Sequence, residues 1–486
     1  MQTQATSTQQ MRGFVAVWVG LTLLIGIATF VAIYVGTGTL DGGNTANALT
    51  SNAFSLEDND PVVAVAPGVN NNSAVNNQPS NNNNAAAEVD DDSNGGANSI
   101  AANEGNVAVA QETEEPEEKP TPAPTTPAIE DEDFDLGIQI NYNNPDSNVL
   151  GGYLDAAANQ LNLNWVKVQI RWEFIEPEEG VYDWTRLDNL FNTIPEYNLK
   201  VLASIVTTPE WARQTGADLT KHGPPADNQV FATFIADILQ RYPGRIHAIE
   251  VWNEMNIDRE WASTGGINAA DYVNMVTVVA NTVRFLDPNI IIVSGALSPT
   301  GLNSAAAHDD LTYTDELIAA GVLDVVDCYG AHHNGYNIGP NVPFDAVPND
   351  PSATFRGPFD NPHPSWSFYT TLTTYANKIQ AAGSEVPLCV TEFGWASTED
   401  MNGFPPGFEF ANDNTLQEQG EFLVEAIETM ESWDFVWLAF VWNLNYAPEA
   451  GFDAANDNVP YSLIRPNYVP APAWLPIGEM NFRGRE

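Results

Sequence analysis

From residue 131 onward the apolar residues of this chain fall into two alternating rhythms. One is a series of short, β-branched or aromatic runs: "FDLGIQI" (134–140), "WVKVQI" (165–170), "KVLASIV" (200–206), "IHAIEVW" (246–252), "NIIIVSG" (289–295), "LDVVDCYG" (323–330), "VPLCVTEF" (386–393) and "FVWLAFVW" (435–442). Runs of this length and composition predict buried strands. Between them, 226–241, 269–286, 365–382 and 415–431 repeat apolar positions at helical spacing. Eight strands alternating with helices predict an α/β fold of the (β/α)8 TIM-barrel type. A doubly wound open sheet is the competing arrangement, but no Gly-rich phosphate loop follows the first strand.

Ahead of this region the pattern is different. Residues 14–36, "FVAVWVGLTLLIGIATFVAIYVG", form an uncharged apolar run long enough to cross a bilayer as one helix. A cleaved secretory signal has a shorter apolar stretch with a small-residue site close behind, and the nearest Ala-x-Ala here, at 46–48, lies well past the run. Arg12 precedes the span and Asp41 follows it, which orients residues 1–13 to the cytoplasm. Residues 37–130 are rich in Asn, Ala, Asp, Glu and finally Pro and Thr, with almost no aromatic residues. Such a stretch cannot bury enough apolar surface to offset chain entropy, so a disordered linker is expected. The sequence thus predicts a single-pass signal anchor, a tether, and a catalytic domain at 131–486 outside the cell, monomeric in itself.

Charge narrows the partners. With 64 acidic and 17 basic residues the chain carries a formal charge of −47, which repels nucleic acid. The only two cysteines, Cys328 and Cys389, cannot build a disulfide scaffold and read as small buried hydrophobes. No CxxC or HExxH spacing occurs, so neither a metal nor another cofactor is expected.

In a barrel of this kind the reacting groups stand at the C-terminal ends of the strands. The second strand ends in Arg171-Trp172-Glu173 and the third runs into "TTPEWAR" (207–213). The fourth ends in Asn253-Glu254, the sixth in "GAHHNGY" (330–336), the seventh in "TEFGW" (391–395) and the eighth in "VWNLNY" (441–446). Glu254 and Glu392 therefore face each other across the mouth, in a setting rich in indoles. Two opposed carboxylates suit glycoside hydrolysis, one protonating the leaving oxygen while the other attacks or stabilises the anomeric carbon.

"EVWNEMN" (250–256) and "TEFGW" (391–395) resemble the paired signatures of clan A glycoside hydrolases. "TPEWA" (208–212) and the general layout are most similar to family 39, with the family 5 cellulases next. The resemblance implies that Glu254 is the acid/base and Glu392 the nucleophile of a retaining β-glycosidase acting on a polysaccharide. It also implies that Asn253 bonds the sugar 2-hydroxyl, that Arg171 sits near the nucleophile, that His332 is the histidine after the sixth strand, and that Trp442 floors the sugar subsite. Trp395, beside the nucleophile loop, is a further candidate platform. Met255 departs from the family's usual Pro. Asn334 stands where a Tyr often bonds the nucleophile, leaving Tyr336 to take that part.

These roles imply a depressed pKa for Glu392 beside a cation and a raised one for Glu254 among aromatics. Glu250 shares the strand parity of Glu254 and reads as a structural ion pair with Lys167. His333, Asp309 and Asp310 read as loop residues. The alternatives to hydrolysis are an envelope-remodelling transglycosylase and a non-catalytic glycan-binding protein on the same barrel.

Overall fold

A computed structural model describes residues 133–348 and 363–485; the expected membrane span at 14–36 and the linker at 37–130 lie outside the described residues. Among the described residues no helix is long and apolar enough to cross a membrane.

Eight parallel strands form one sheet: β1 (Asp135–Gln139), β2 (Trp165–Arg171), β3 (Lys200–Val206), β4 (Ala248–Val251), β5 (Ile291–Ser294), β6 (Tyr329–Gly335), β7 (Leu388–Trp395) and β8 (Val436–Val441). Their order, β5-β4-β3-β2-β1-β8-β7-β6, leaves β5 and β6 at the seam. There Ser294 N donates to Cys328 O at 3.1 Å and Cys328 N to Ile292 O at 3.2 Å, so the sheet closes on itself. A Cβ on Gly330 would lie 2.0 Å from Ser294 O, so only glycine lets β6 approach β5 this closely. The closed parallel sheet is a TIM barrel and not a doubly wound sheet.

The crossover helices are α1 (Ser147–Asp155), α2 (Thr185–Thr193), α3 (Asn228–Arg241), α4 (Ala269–Leu286), α5 (Asp310–Ala319), α6 (Phe368–Ala381) and α7 (Leu416–Glu431), with α8 (Trp474–Met480) after β8. Their starts are specified locally. Asn268 accepts from Ala270 N and Asp271 N, and Thr415 with Glu418 forms a reciprocal capping box on α7. Asp309 and Asp310 are not the solvated loop expected of them. Asp309 caps α5, and the fully buried Asp310 accepts from Tyr375 Oη at 2.8 Å and Thr300 N at 3.0 Å.

Trp165, Leu202, Ala248, Val293, Trp437 and Phe440 pack together with Cys328 and Cys389. The two cysteines are buried as expected, and they are joined in a disulfide, Cα to Cα 5.8 Å. They lie 61 positions apart along the chain, but β6 and β7 are neighbours and Cys389 pairs in register with Gly330. Their proximity is a product of topology that spacing in the sequence does not display.

Candidate active site

Four strands present the polar groups of the barrel mouth. The chain leaves β4 through a left-handed step, with φ of 76° at Trp252 and 40° at Glu254. Such angles are uncommon for side chains of this size and persist only where surroundings hold them. Here Trp252 Nε1 donates to Glu260 O at 3.0 Å and Glu254 N donates to Ala296 O at 2.9 Å. The turn delivers Glu254, fully buried, to the mouth.

On β7 the register with β6 jumps: Ala331 pairs with Val390, but His332 pairs with Glu392. The extra residue forms a bulge, which lets consecutive side chains be aimed inward together. Thr391 Oγ1 donates to Glu250 Oε1 at 2.6 Å, while Glu392 meets Lys167. Lys167 Nζ lies 3.0 Å from Glu250 Oε2 and 3.0 Å from Glu392 Oε1, all three side chains buried. The expected Lys167–Glu250 pair is therefore present, and it includes the candidate nucleophile as well.

His332 bridges the two strand-end glutamates. Its Nδ1 is 3.3 Å from Glu254 Oε1 and its Nε2 is 3.7 Å from Glu392 Oε1. Burial lowers the pKa of this imidazole, against the pull of Glu392, and so favours the neutral ring. On the other side of Glu254, Arg259 Nη2 stands 3.5 Å from Oε2 while its Nε is 3.3 Å from Glu260 Oε1.

Burial pushes the Glu254 carboxyl up to about 7, with the Arg259 charge working against it. The raised value agrees with the requirement for an acid. Glu392 is also raised, by burial, despite His332 and Lys167. This corrects the expected depression: the ammonium beside Glu392 is shared with Glu250, and the nearby charges of Glu254 and Glu250 push the same way. Glu250 also suffers burial, but Lys167 and the Thr391 hydroxyl outweigh it and hold its carboxyl below the usual range.

The remaining sequence candidates divide. Asn253 (4% exposed) and Trp442 (2%) lie with the glutamates at the strand ends, and Trp442 packs against Tyr446 with ring centroids 5.0 Å apart. The Trp442–Asn443 peptide is cis. Tyr336 joins an aromatic cluster with Trp366, Phe408, Phe410, Trp442 and Tyr461. Arg171 turns to Glu173, 2.6 Å away, and to the ring of Phe174, so the cation against Glu392 is Lys167. The reason is reach: Arg171 stands at the lip, whereas the long stem of Lys167 rises from two pleats deeper in the strand. Trp395 points out of the barrel, packing on Phe368 and Phe422 and donating to Ile338 O at 2.8 Å. It follows Glu392 by an odd number of residues, and strand alternation sends it to the helical layer instead of the sugar site. His333 is likewise a strand residue facing outward, with Nε2 3.2 Å from Ser365 O.

Arg259 and Thr391 escaped the sequence reading. Thr391 could have been found only through the bulge, and Arg259 only through the turn that folds it back over Glu254. Among the described residues no group of His, Cys, Asp and Glu is placed to hold a metal ion. The Lys167 ammonium fills the space between Glu250 and Glu392.

Known proteins resemble one stretch of the sequence and the fold. Residues 156–233 match the family 42 glycoside hydrolase model, described as beta-galactosidase, a stretch that holds Lys167 and Arg171 but neither catalytic candidate. No curated protein matches the chain. Among solved structures, a family 39 glycoside hydrolase from the gut symbiont Bacteroides cellulosilyticus WH2 aligns with TM-score 0.51 and 16% identity, over 72% of this chain and 64% of that one. A family 39 enzyme from Xanthomonas axonopodis pv. citri aligns at TM-score 0.49 and 17% identity, covering 71% and 66%. A family 39 beta-xylosidase from Caulobacter crescentus gives TM-score 0.47 and 17% identity, covering 74% and 72%. The chain spans just under two thirds of the length of the first two. At 16% identity the first of these likenesses defines the fold. The chain is thus similar in fold to a family 39 glycoside hydrolase and, over one stretch, in sequence to the family 42 model.

Proposed function

We propose that the protein is a retaining glycoside hydrolase that cleaves β-O-glycosidic bonds of an extracellular polysaccharide. One observation carries this reading: two buried carboxylates, Glu254 just past the end of β4 and Glu392 on β7, stand with His332 between them. Glu392, its charge supported by Lys167, attacks the anomeric carbon while Glu254 gives its proton to the leaving oxygen. The resulting glycosyl-enzyme is then opened by water. Glu254, now a carboxylate eased by Arg259, takes the water's proton, and the Glu392 carboxylate leaves. Asn253 serves the sugar 2-hydroxyl and Trp442 lies beneath the ring.

The enclosure of the pair, 0% and 1% exposed, favours a second outcome for the glycosyl-enzyme. A sugar acceptor that fills the site shuts out water, and the same two glutamates then carry out transglycosylation. Residues 14–36 hold the domain at the cell surface through the linker 37–130, with 1–13 inside. The Cys328–Cys389 disulfide suits such an oxidising compartment.

The test is product stereochemistry. Purified protein is screened against β-glucans, xylans and mannans, and the first product is followed by proton NMR with and without added acceptor sugar. A β-anomer formed first supports retention, and longer products with acceptor support transfer. An α-anomer formed first rules out the double displacement.

A further inference from the structure

Among the described residues, several side-chain atoms near the mouth are shut off from solvent without a hydrogen-bond partner: Glu392 Oε2, Asn253 Oδ1, Trp442 Nε1, and both Nδ2 and Oδ1 of Asn334. Unpartnered buried polar atoms are few in native proteins, and each asks for a partner. The first three belong to residues already placed in the reaction. Asn334 does not, and its carboxamide is unpartnered at both ends.

Strand alternation shows where this carboxamide points. His332 faces Glu254 and Glu392, and His333 faces outward to Ser365 and the Phe368 ring. Asn334 therefore faces inward again, about 7 Å nearer the lip than His332. It pairs in register with Gly394, just as His332 pairs with Glu392. Gly394 has no side chain of its own there; a Cβ would lie 2.7 Å from Trp442 O, 3.3 Å from the Tyr461 ring and 3.6 Å from Asn334 Oδ1. The Asn334 carboxamide thus borders the strip of β7 immediately beyond the attacking carboxylate.

A carboxamide offers N–H donors on one side and an acceptor on the other. Two adjacent hydroxyls of a sugar ring match it, since each can give one hydrogen bond and accept another. The group is uncharged, so it fits a neutral sugar and supplies nothing to balance a uronate. We propose that Asn334 is a specificity-determining residue whose carboxamide binds two neighbouring hydroxyls of the neutral sugar attacked by Glu392. The inference rests on the glycosidase reading given above.

The test uses the p-nitrophenyl β-glycoside that the full-length protein hydrolyses fastest, together with its monodeoxy analogues. In the wild type, removing either of the two bonded hydroxyls should lower kcat/KM about 3- to 10-fold. Asn334→Ala should lose about 10- to 100-fold on the parent glycoside and become indifferent to those two deoxy positions, the non-additivity expected of a direct contact. Asn334→Asp, nearly identical in shape, should lose its discrimination at the hydroxyl that accepts from Nδ2 and keep it at the other. Equal losses by Asn334→Ala on parent and every analogue, or parent activity within about 2-fold of wild type, overturn the proposal. Glu392→Ala separates the two levels. Activity that survives Glu392→Ala overturns Glu392 as the attacking group and with it the double displacement proposed above, whereas activity that needs Glu392 but ignores both Asn334 variants overturns this inference alone.

Discussion

Lys167 holds its ammonium 3.0 Å from Glu392 Oε1, and it is the same ammonium that neutralises Glu250 at 3.0 Å. One buried cation thus serves two buried carboxylates, and the three charges stand or fall together. Lys167→Met leaves two uncompensated carboxylates in the barrel, and breaking a buried pair in this way costs about 3–5 kcal/mol. Urea unfolding at pH 7 should show that loss, together with loss of activity. Because Glu250 has a depressed folded pKa, its contribution to stability is present above its usual value near 4.5 and is lost as pH falls through the folded value. Lys167 has a raised folded pKa, so its contribution is full below about 10.5 and is lost as pH rises through the folded value. The deficit of Lys167→Met should therefore shrink toward acid pH. A deficit that is constant from pH 4 to pH 8 would mean that packing, and not charge, is what was lost.

Glu254 works in the opposite sense. Its folded carboxyl titrates at about 7 instead of near 4.5, so the folded state holds the proton more tightly than the unfolded chain does. Stability from this group is full below about 4.5 and declines as pH rises to 7. Glu254→Gln removes that decline. The variant should be more stable than wild type at pH 8, by about 3 kcal/mol at most, and no more stable at pH 4. Thermal or urea melts at the two pH values check it. The wild-type rate should also fall along an alkaline limb near pH 7, as the acid loses its proton.

How far the sequence carried can be seen on β6 and β7. The other strand candidates lie within a few residues of the observed ones, because their apolar runs are long and bounded. The apolar run "LDVVDCYG" predicts β6 at 323–330, whereas the strand is Tyr329–Gly335 and carries His332, His333 and Asn334. A strand built to present polar groups to a reaction does not read as a strand. The candidate pair Glu254 and Glu392 is legible because each closes an apolar run within a distinctive motif, although Glu392 lies within β7 and only Glu254 lies past its strand. The partners that set their charge are not legible, since Lys167 and Arg259 reach them through side-chain length and a left-handed turn. Trp395 was misplaced by proximity in sequence, which strand parity overrides.

The Cys328–Cys389 bond closes a loop with a sequence separation of 61 residues, which in the chain-entropy account is worth about 4 kcal/mol. Cys328→Ala with Cys389→Ala should lower the midpoint of urea unfolding accordingly, while activity below the transition persists because Cys389 precedes Glu392 by three residues on β7, about 10 Å along the strand. A thiol titration of the native, surface-derived protein should find no free thiol even after denaturation. Two thiols released on denaturation would show a reduced protein and weaken the extracellular assignment.

The proposed topology predicts what protease does to intact cells. External protease should cut within 37–130, where no packed core is expected, and release an active fragment into the medium. Activity that stays cell-associated and protected until the cells are broken would place the barrel on the inner side.

The two glutamates can be told apart by rescue. Glu254→Ala removes the acid, so glycosides with poor leaving groups should lose about 100- to 10,000-fold, while activated aryl glycosides still form the glycosyl-enzyme. Azide fits the space left by the carboxylate and attacks that intermediate from the face where water would have come. Rate should return and the product should be a β-glycosyl azide. Glu392→Ala removes the attacking group itself, so every substrate should suffer, however good its leaving group. Azide then takes the place of Glu392 and displaces the leaving group once, giving the α-azide. The anomeric configuration of each azide, read by NMR, assigns the roles without relying on rates. The reverse pairing, with the α-azide from Glu254→Ala, would exchange the two roles, and Lys167 would then support the acid/base instead of the nucleophile.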